Sequence, residues 1–254
     1  MLAYLTLLLL IAVLAVGLYA LHKIRRVHIM LYEIPARSSQ DMNDLFLQIE
    51  ALHGLYIDLG LQKSLPPTRG WAASPDFLQE LVRHMLEEKP QVIVECSSGV
   101  STVVLARCAQ LNGTGKVYSL EHEPEFAQKT RMNLARLGLA EYATVIDAPL
   151  MSYTLNDEVW PWYDIQALPQ GCKVDLLVID GPPYFTRSLA RYPAGPILFS
   201  SLAESAVIFL DDAARDDEKK ILEIWGREFP ELSQAASACE KGCVILKKTL
   251  SRAV

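Results

Sequence analysis

The segment from Gln91 to Arg107, QVIVECSSGVSTVVLAR, limits the possible folds of this chain more than any other segment. Apolar and β-branched residues lead into Glu95, small residues follow, and an apolar helical pattern begins at Thr102. This order predicts a strand, a tight turn and a helix. The unpaired N–H groups at the start of such a helix favour an anionic or electron-rich ligand. A strand, turn and helix that bind no ligand would show the same pattern.

The turn in this segment holds a single glycine, Gly99, among small residues. A dinucleotide site needs the spacing G-x-G-x-x-G so that the backbone can surround a pyrophosphate, and the turn lacks that spacing. Its acidic residue and hydroxyl side chains instead suit a ligand that carries an ammonium group and ribose hydroxyls. S-adenosylmethionine is such a ligand, and we expect it to bind here.

The composition of the 254-residue chain fits one ordinary domain with an appendage, since 51% of its residues are hydrophobic. The net charge is −6, and acidic and basic residues are mixed along the chain. Nucleic-acid binding needs a basic face or stripe, so we expect no nucleic-acid partner. The five cysteines are odd in number and fit a reducing compartment. Cys239 and Cys243 flank a predicted hairpin turn and lack the second ligand pair that a zinc site needs.

The N-terminal segment from Met1 to Leu21 contains no charged side chain. At about 20 residues it is long enough to cross the hydrocarbon core of a bilayer. The basic residues Lys23, Arg25 and Arg26 follow it, which by the positive-inside rule places the rest of the chain in the cytoplasm. We therefore expect a single-pass anchor in the inner (cytoplasmic) membrane through residues 2–21, with the catalytic domain facing the cytoplasm. A buried core helix would share this composition.

The rest of the chain divides into a helical lead-in and a main domain. We assign residues 1–22 to a transmembrane anchor, 23–70 to the juxtamembrane lead-in and 71–254 to the main domain. Within the lead-in, a stripe of apolar residues predicts a helix from Gln40 to Gly60, capped by Ser39 or Asp41.

Apolar strands alternate with helical patterns along the main domain, and each of these strands is followed by an acidic residue. These acids are Glu95, Glu121, Asp147, Asp180, Asp211 and Asp212. Ligands of open α/β sheets bind at the carboxyl ends of the strands, so we expect the acids to share one rim. Glu121 follows Glu95 by 26 residues, about where such sites place the carboxylate that binds ribose hydroxyls. The same acids could instead cap helices or face solvent.

Three of these acids, Asp180, Asp211 and Asp212, form a candidate site for a divalent cation such as Mg²⁺. This ion prefers oxygen ligands and usually takes one or two carboxylates together with water and substrate oxygens. A bound ion could lower the pKa of a substrate hydroxyl and direct it at an electrophilic methyl group. Helix capping is the alternative role of the same residues.

The segment from Leu150 to Gly171 is aromatic and is predicted to be irregular, with Trp160, Trp162 and Tyr163 close together. It suits a lid or a substrate wall, and equally a surface loop held by its aromatic rings. Near the end of the chain, two apolar segments around Gly242 predict a closing antiparallel pair.

At this point the sequence resembles the class I S-adenosylmethionine-dependent methyltransferases, over roughly Trp71 to Leu246. The motifs VECSSGVST, YSLEHE, VIDGPP, ARYPA and LDDAARDDE occur in the order of the catechol O-methyltransferase group, and are closest to a bacterial, membrane-anchored branch. The resemblance implies an α/β fold with a doubly wound, mostly parallel, Rossmann-like sheet of seven strands, the last of them antiparallel. It also implies that S-adenosylmethionine is the cofactor, with Mg²⁺ as a further one.

By position, the resemblance assigns Glu95, Ser97, Gly99, Ser101, Glu121, Asp147 and Ala148 to the cofactor and three aspartates to the metal. The remaining residues named below are our own predictions. The cofactor would contact Glu95, Ser97, Ser98, Gly99, Ser101, Thr102, Glu121, His122, Asp147, Ala148 and Asp180. The metal would be held by Asp180, Asp211 and Asp212, and the catalytic residues would be Asp180, Asp211 and Arg215. In relatives that act on catechols, a lysine shortly after the first metal aspartate is the general base, whereas Pro182, Pro183 and Tyr184 stand here.

The arginines near the same rim, Arg187, Arg191 and Arg215, have two possible roles. They could bind an anionic substrate, or they could neutralise the neighbouring acids.

The expected function is methyl transfer from S-adenosylmethionine to a hydroxyl oxygen. The membrane anchor suggests that the acceptor is a glycan, a lipid-linked sugar or another envelope metabolite at the cytoplasmic face of the membrane. Two other classes of function stay open. A membrane-tethered scaffold would keep the fold, lose the chemistry and bind protein partners. A nicotinamide oxidoreductase is disfavoured because the pyrophosphate fingerprint is missing.

Overall fold

The computed structural model describes residues 1–248, apart from the side chains of residues 32–37. The chain forms two compact units, Met1–Leu47 and the part that begins at Gln48. Helix α1 spans Leu2–Asp58 and so contains nearly all of the first unit. The expected helix start at Ser39 or Asp41 is wrong, because helical structure continues through both residues.

In the first unit, residues Leu2–Leu31 form a helical segment whose mean hydropathy reaches 2.5 and whose side chains are exposed throughout. The segment is long and apolar enough to cross a membrane, and a signal sequence near an N-terminus has the same properties. A helix of a soluble protein normally buries its apolar side chains, so an exposed surface of this kind is typical of a membrane span or a signal sequence.

The second unit is built on a seven-stranded sheet with the order β3-β2-β1-β6-β7-β9-β8. Its strands are β1 (Val92–Cys96), β2 (Lys116–Glu121), β3 (Ala143–Asp147), β6 (Val174–Ile179), β7 (Leu202–Asp211), β8 (Leu232–Ser237) and β9 (Cys243–Lys248). The first five in spatial order pair in parallel, and β9 pairs antiparallel with both of its neighbours. The expected doubly wound sheet with a closing antiparallel pair is confirmed.

Helices cover both faces of this sheet. They are α2 (Pro75–Glu88), α3 (Val100–Asn112), α4 (Pro124–Leu137), α5 (Ala194–Leu198) and α6 (Asp216–Glu228). On one face, Phe77 of α2 and Leu105 of α3 are fully buried; on the other, Trp225 of α6 is fully buried. The chain leaves β1 in one direction toward β2 and β3, and later enters β6 on the other side of β1. Ligands of doubly wound sheets bind at such a reversal, here between β1 and β6.

The segment expected to be irregular, Leu150 to Gly171, instead contains a β-hairpin. Strands β4 (Leu150–Leu155) and β5 (Glu158–Tyr163) pair antiparallel through a two-residue turn. The turn residues Asn156 and Asp157 have φ values of 52° and 63°. Positive φ at both positions is the geometry of a type I′ turn, which asparagine and aspartate tolerate better than most residues.

The turn between β8 and β9 supports the loop that follows β7. The backbone N–H of Ala213 donates to the carbonyl of Gly242 (3.0 Å), and that of Ala214 donates to the carbonyl of Lys241 (3.1 Å). Gly242 has a φ of +77°, and a Cβ there would lie 2.5 Å from the nitrogen of Ala214. The site loop therefore depends on a glycine at this position.

We expect Gly242→Ala to lower the free energy of unfolding by roughly 2 kcal/mol, because the strain of a positive φ adds to the clash with the backbone of Ala214. Gly226→Ala is the matched control, since Gly226 lies within α6 and a Cβ there would meet only the side-chain nitrogen of Gln234 at 3.4 Å. That change should stabilise the protein slightly. Urea denaturation followed by tryptophan fluorescence measures both, and equal stabilities of the two variants would contradict this view of the turn.

Candidate functional site

The turn after β1 is held by the buried carboxylate of Glu95. Its Oε2 accepts hydrogen bonds from the hydroxyls of Thr102 (2.6 Å) and Ser119 (2.7 Å), and Thr102 in turn accepts one from the N–H of Gly99 (3.0 Å). Burial raises the pKa of Glu95, against the effect of these hydrogen bonds. Its Oε1 has no partner among the described residues. Through Thr102, Glu95 thus fixes the conformation of the turn at Gly99.

Glu121, at the end of β2, binds the same turn from its other side. Its Oε2 accepts from the N–H (3.0 Å) and the hydroxyl (2.8 Å) of Ser98, and its Oε1 accepts from the N–H of Glu123 (3.0 Å). Burial raises the pKa of Glu121, but hydrogen bonds from His122, Glu123 and Ser98 outweigh it, so the pKa lies below its usual value. The carboxylate is therefore ionised at neutral pH and is a strong hydrogen-bond acceptor.

Some of the other predicted cofactor residues lie close to the turn and to Glu121, whereas Asp147 faces solvent. Ser101 is buried at the start of α3, and Ala148 is buried with its N–H on the carbonyl of Glu121 (2.7 Å). The Nδ1 of His122 lies 3.2 Å from Oε1 of Glu121. By contrast, the carboxylate of Asp147 is largely exposed and forms an ion pair with Arg131 (2.8 Å).

The sequence placed Tyr163 only in a candidate lid or substrate wall, yet its hydroxyl lies against Gly181, directly after β6 and Asp180. The side chain is fully buried, and the hydroxyl has no partner among the described residues. A Cβ added at Gly181 would collide with that hydroxyl, so the two are in direct contact. The ring packs against His122, with centroids 5.8 Å apart. Burial raises the pKa of Tyr163 well above its usual value, so the hydroxyl stays protonated and can donate.

The three aspartates predicted to bind a metal do come together. Each offers a carboxylate oxygen within 4.8 Å of the others. Burial raises the pKa of Asp180 well above its usual value, and the charges of Asp211 and Asp212 add to the shift. Burial and the charge of Asp212 raise the pKa of Asp211 to about 6. A cation is needed to keep such a cluster ionised.

That cation is already present as the guanidinium of Arg191. The side chain is only 3% exposed, and its Nη2 donates to Asp180 Oδ1 (3.2 Å) and to Asp212 Oδ2 (2.7 Å). Arg215 adds a second positive charge at Asp212 Oδ2 (2.9 Å). Two of the three carboxylates are therefore engaged with guanidinium groups. The three aspartates therefore do not form a free donor set for a divalent cation, although Oδ2 of Asp211 has no partner among the described residues.

The predicted arginines thus have different roles. Arg191 and Arg215 neutralise the acids, which was one of the two expectations. Arg187 instead binds the β4–β5 hairpin through Glu158, and its guanidinium carbon lies 3.6 Å from the centroid of the Trp160 ring. Each of the three arginines has an acidic partner, so none is an unpaired cation available to an anionic substrate.

Three exposed aromatic rings flank the acid rim. Trp71, Tyr184 and Phe185 are 66%, 55% and 68% exposed, respectively. The centroids of Trp71 and Tyr184 are 6.0 Å apart in a stacked arrangement, and those of Trp71 and Phe185 are 5.8 Å apart. The guanidinium of Arg215 lies 5.6 Å from the Tyr184 ring, so the rings adjoin the aspartates. We refer to these three residues as the aromatic patch.

The strand order, the reversal between β1 and β6 and the acids on the rim define a class I methyltransferase fold. Residues 94–213 match a family model described as a methyltransferase domain. The resemblance to class I S-adenosylmethionine-dependent methyltransferases is thereby confirmed, whereas kinship with a membrane-anchored branch stays a prediction. No curated protein matches the chain.

Solved structures share this fold at low identity. The cofactor-bound protein Rv0187 from MTB is 20% identical, with a TM-score of 0.55 over 82% of this chain and 91% of that one. The SAH-bound methyltransferase of Podospora anserina is 14% identical, with a TM-score of 0.55 over 78% and 87%. The O-methyltransferase TomG from Streptomyces achromogenes, solved with SAM, is 14% identical, with a TM-score of 0.53 over 80% and 89%. Identities this low establish a common fold and not a common substrate.

Proposed function

We propose that this protein transfers a methyl group from S-adenosylmethionine to a hydroxyl oxygen of an acceptor at the cytoplasmic face of the membrane. The observation that carries the proposal is the ionised Glu121 carboxylate beside the β1 turn, at the reversal of a class I methyltransferase sheet. When bound, S-adenosylmethionine supplies an electrophilic methyl group. Glu121 would accept hydrogen bonds from its ribose hydroxyls, and the Ser97–Gly99 turn would face its amino acid portion.

Asp180 is the residue that we assign to proton transfer. One of its oxygens is held by Arg191, and burial raises its pKa well above the usual value. A carboxylate with a raised pKa is a better base than a solvated one, and the lysine used by catechol-type relatives is missing here. Asp211 and Arg215 would act with Asp180 by fixing the charge around it.

The aromatic patch supports a ring-shaped acceptor. Exposed aromatic rings beside a reaction rim provide flat surfaces on which a sugar or an aromatic ring can stack. The apolar helix of the first unit and the basic residues that follow it support an acceptor at a membrane surface, such as a lipid-linked sugar or an envelope glycan. The assignment to oxygen rests on the family resemblance and on neighbours such as TomG, which is described as an O-methyltransferase.

A labelling experiment tests the acceptor. Membranes from the source organism are incubated with the purified chain and with S-adenosylmethionine that carries a tritiated methyl group, and label is counted in lipid, glycan and protein fractions. We expect label in the glycan or lipid fraction. Label confined to the protein fraction, or incorporation that is equally large without the chain, would contradict the proposed acceptor class.

We expect Trp71→Ala and Tyr184→Ala each to lower incorporation about fivefold, because each removes a stacking surface worth roughly 1 kcal/mol. Binding of S-adenosylmethionine should be unchanged in both variants. Phe126→Ala is the matched control, since Phe126 is a half-exposed ring on α4 that packs against Lys129 of the same helix. An equal loss of incorporation in the control would argue against the aromatic patch as the acceptor surface.

A further inference from the structure

The guanidinium of Arg191 donates four hydrogen bonds within the acid rim. Its Nη1 donates to the carbonyl of Asp211 (2.7 Å), and its Nη2 donates to the carbonyl of Asp180 (3.0 Å). The same Nη2 also contacts the carboxylates of Asp180 (3.2 Å) and Asp212 (2.7 Å). The Nε lies 3.7 Å from Oε1 of Glu218, on α6. One buried side chain therefore links the ends of β6 and β7 to α6.

The position of Nη2 is the decisive observation. A divalent cation shared by Asp180 and Asp212 would have to lie between their carboxylates, at about 2.1 Å from each oxygen for Mg²⁺. In this chain a guanidinium nitrogen bridges those same two carboxylates. A metal ion could bind both of these carboxylates only if the guanidinium left, and the buried guanidinium would then lose its acidic partners. The third carboxylate, Asp211, keeps one oxygen, Oδ2, without a partner among the described residues. Electrostatic repulsion between the guanidinium and a divalent metal ion opposes their simultaneous binding to the aspartates.

We propose that Arg191 is the built-in cation of this rim, and that the protein uses the three aspartates without a divalent metal. Arginine retains its proton at any physiological pH, and its planar group can bridge two carboxylates. Arg191 is thus a positioning residue that keeps Asp180 and the carbonyl ends of β6 and β7 in place. The link to acceptor activation rests on the proposed function, but the absence of a metal requirement does not.

Manganese binding to the full chain in detergent tests the proposal directly. Free aqueous Mn²⁺ gives a strong electron paramagnetic resonance signal that is lost on binding, so the signal reports occupancy without any substrate. We expect the unaltered chain to leave the signal of the free ion intact up to millimolar concentrations of protein. A micromolar site that disappears in Asp211→Asn would overturn the proposal.

Removal of the bridging cation gives the complementary test. We expect Arg191→Met to bind Mn²⁺ at least about tenfold more tightly than the unaltered chain, because the aspartates lose their guanidinium. Arg215→Met is the control, since Arg215 contacts Asp212 from a half-exposed position and leaves the bridge in place. A folded Arg191→Met chain with no gain in Mn²⁺ binding would contradict the proposal. If that variant does not fold, the unaltered chain alone decides.

The outcome of the Mn²⁺-binding tests does not depend on the proposed function. Calorimetric titration with S-adenosylmethionine in excess EDTA and in excess Mg²⁺ should give the same affinity. Failure to bind S-adenosylmethionine in either condition would remove the proposed function and leave the Mn²⁺ result unaffected. An affinity that depends strongly on Mg²⁺ would count against the metal-free rim.

Discussion

Glu121→Ala is expected to weaken the binding of S-adenosylmethionine about 100-fold, or by about 3 kcal/mol. The variant removes an ionised acceptor from the end of β2, together with the two hydrogen bonds that fix Ser98 in the β1 turn. Calorimetric titration of the full chain in detergent measures the change. Glu123→Ala is the matched control, because Glu123 is the neighbouring acid with a half-exposed side chain.

The pH dependence of the free energy of unfolding shows whether Glu121 acts through its ionised carboxylate or whether its removal simply disrupts the structure. The pKa of Glu121 is lowered in the folded protein, so its stabilising effect is present above the pKa of the unfolded chain, near 4.5. That effect is lost as the pH falls through the lower, folded-state pKa. The difference in stability between Glu121→Ala and the unaltered chain should therefore shrink in acid. Cofactor binding by Glu121→Ala that equals that of the control would contradict the assignment to the ribose.

Arg191→Met is expected to cost about 3 to 5 kcal/mol of stability at neutral pH. The change keeps the length of the side chain but leaves Asp180, Asp212 and Glu218 without their buried cation. Urea denaturation measures the loss. Arg187→Met is the control, since Arg187 binds the β4–β5 hairpin near the surface and should cost no more than about 1 kcal/mol.

The loss in Arg191→Met should diminish as the pH falls from about 7 to about 5. Without the guanidinium, the pKa values of the rim carboxyls rise further above their unfolded values; that of Asp211 is already raised to about 6. The folded variant then binds more protons than the unfolded chain, so its free energy of unfolding increases as the solution becomes more acidic. A loss that is constant over this range would show that Arg191 acts through packing rather than through charge.

The features that the sequence predicted correctly are those carried by local patterns. The segment around Glu95 alone shows an apolar strand, small turn residues and an apolar helix. Acids at strand ends share a rim because parallel strands place their carboxyl ends together, and this holds for Glu121 and Asp180 whatever the details of packing. The resemblance then supplied the number of strands, seven, which the local patterns do not contain.

The features that the sequence missed depend on contacts between distant segments. The hairpin formed by β4 and β5 was hidden because both strands carry exposed and buried residues without regular alternation. Its Asn156-Asp157 turn was the available signal. The placement of Tyr163 against Gly181 and the inward direction of Arg191 depend on side-chain packing between separate elements. Sequence spacing contains no information on that packing.

The most direct test of the central proposal is calorimetric titration of the full chain in detergent with S-adenosylmethionine, S-adenosylhomocysteine and NAD. We expect saturable binding of the first two ligands with one site per chain, strong loss of both in Glu121→Ala, and no binding of NAD. A folded chain that binds none of the three would contradict the methyltransferase proposal and favour a tethered scaffold that binds protein partners.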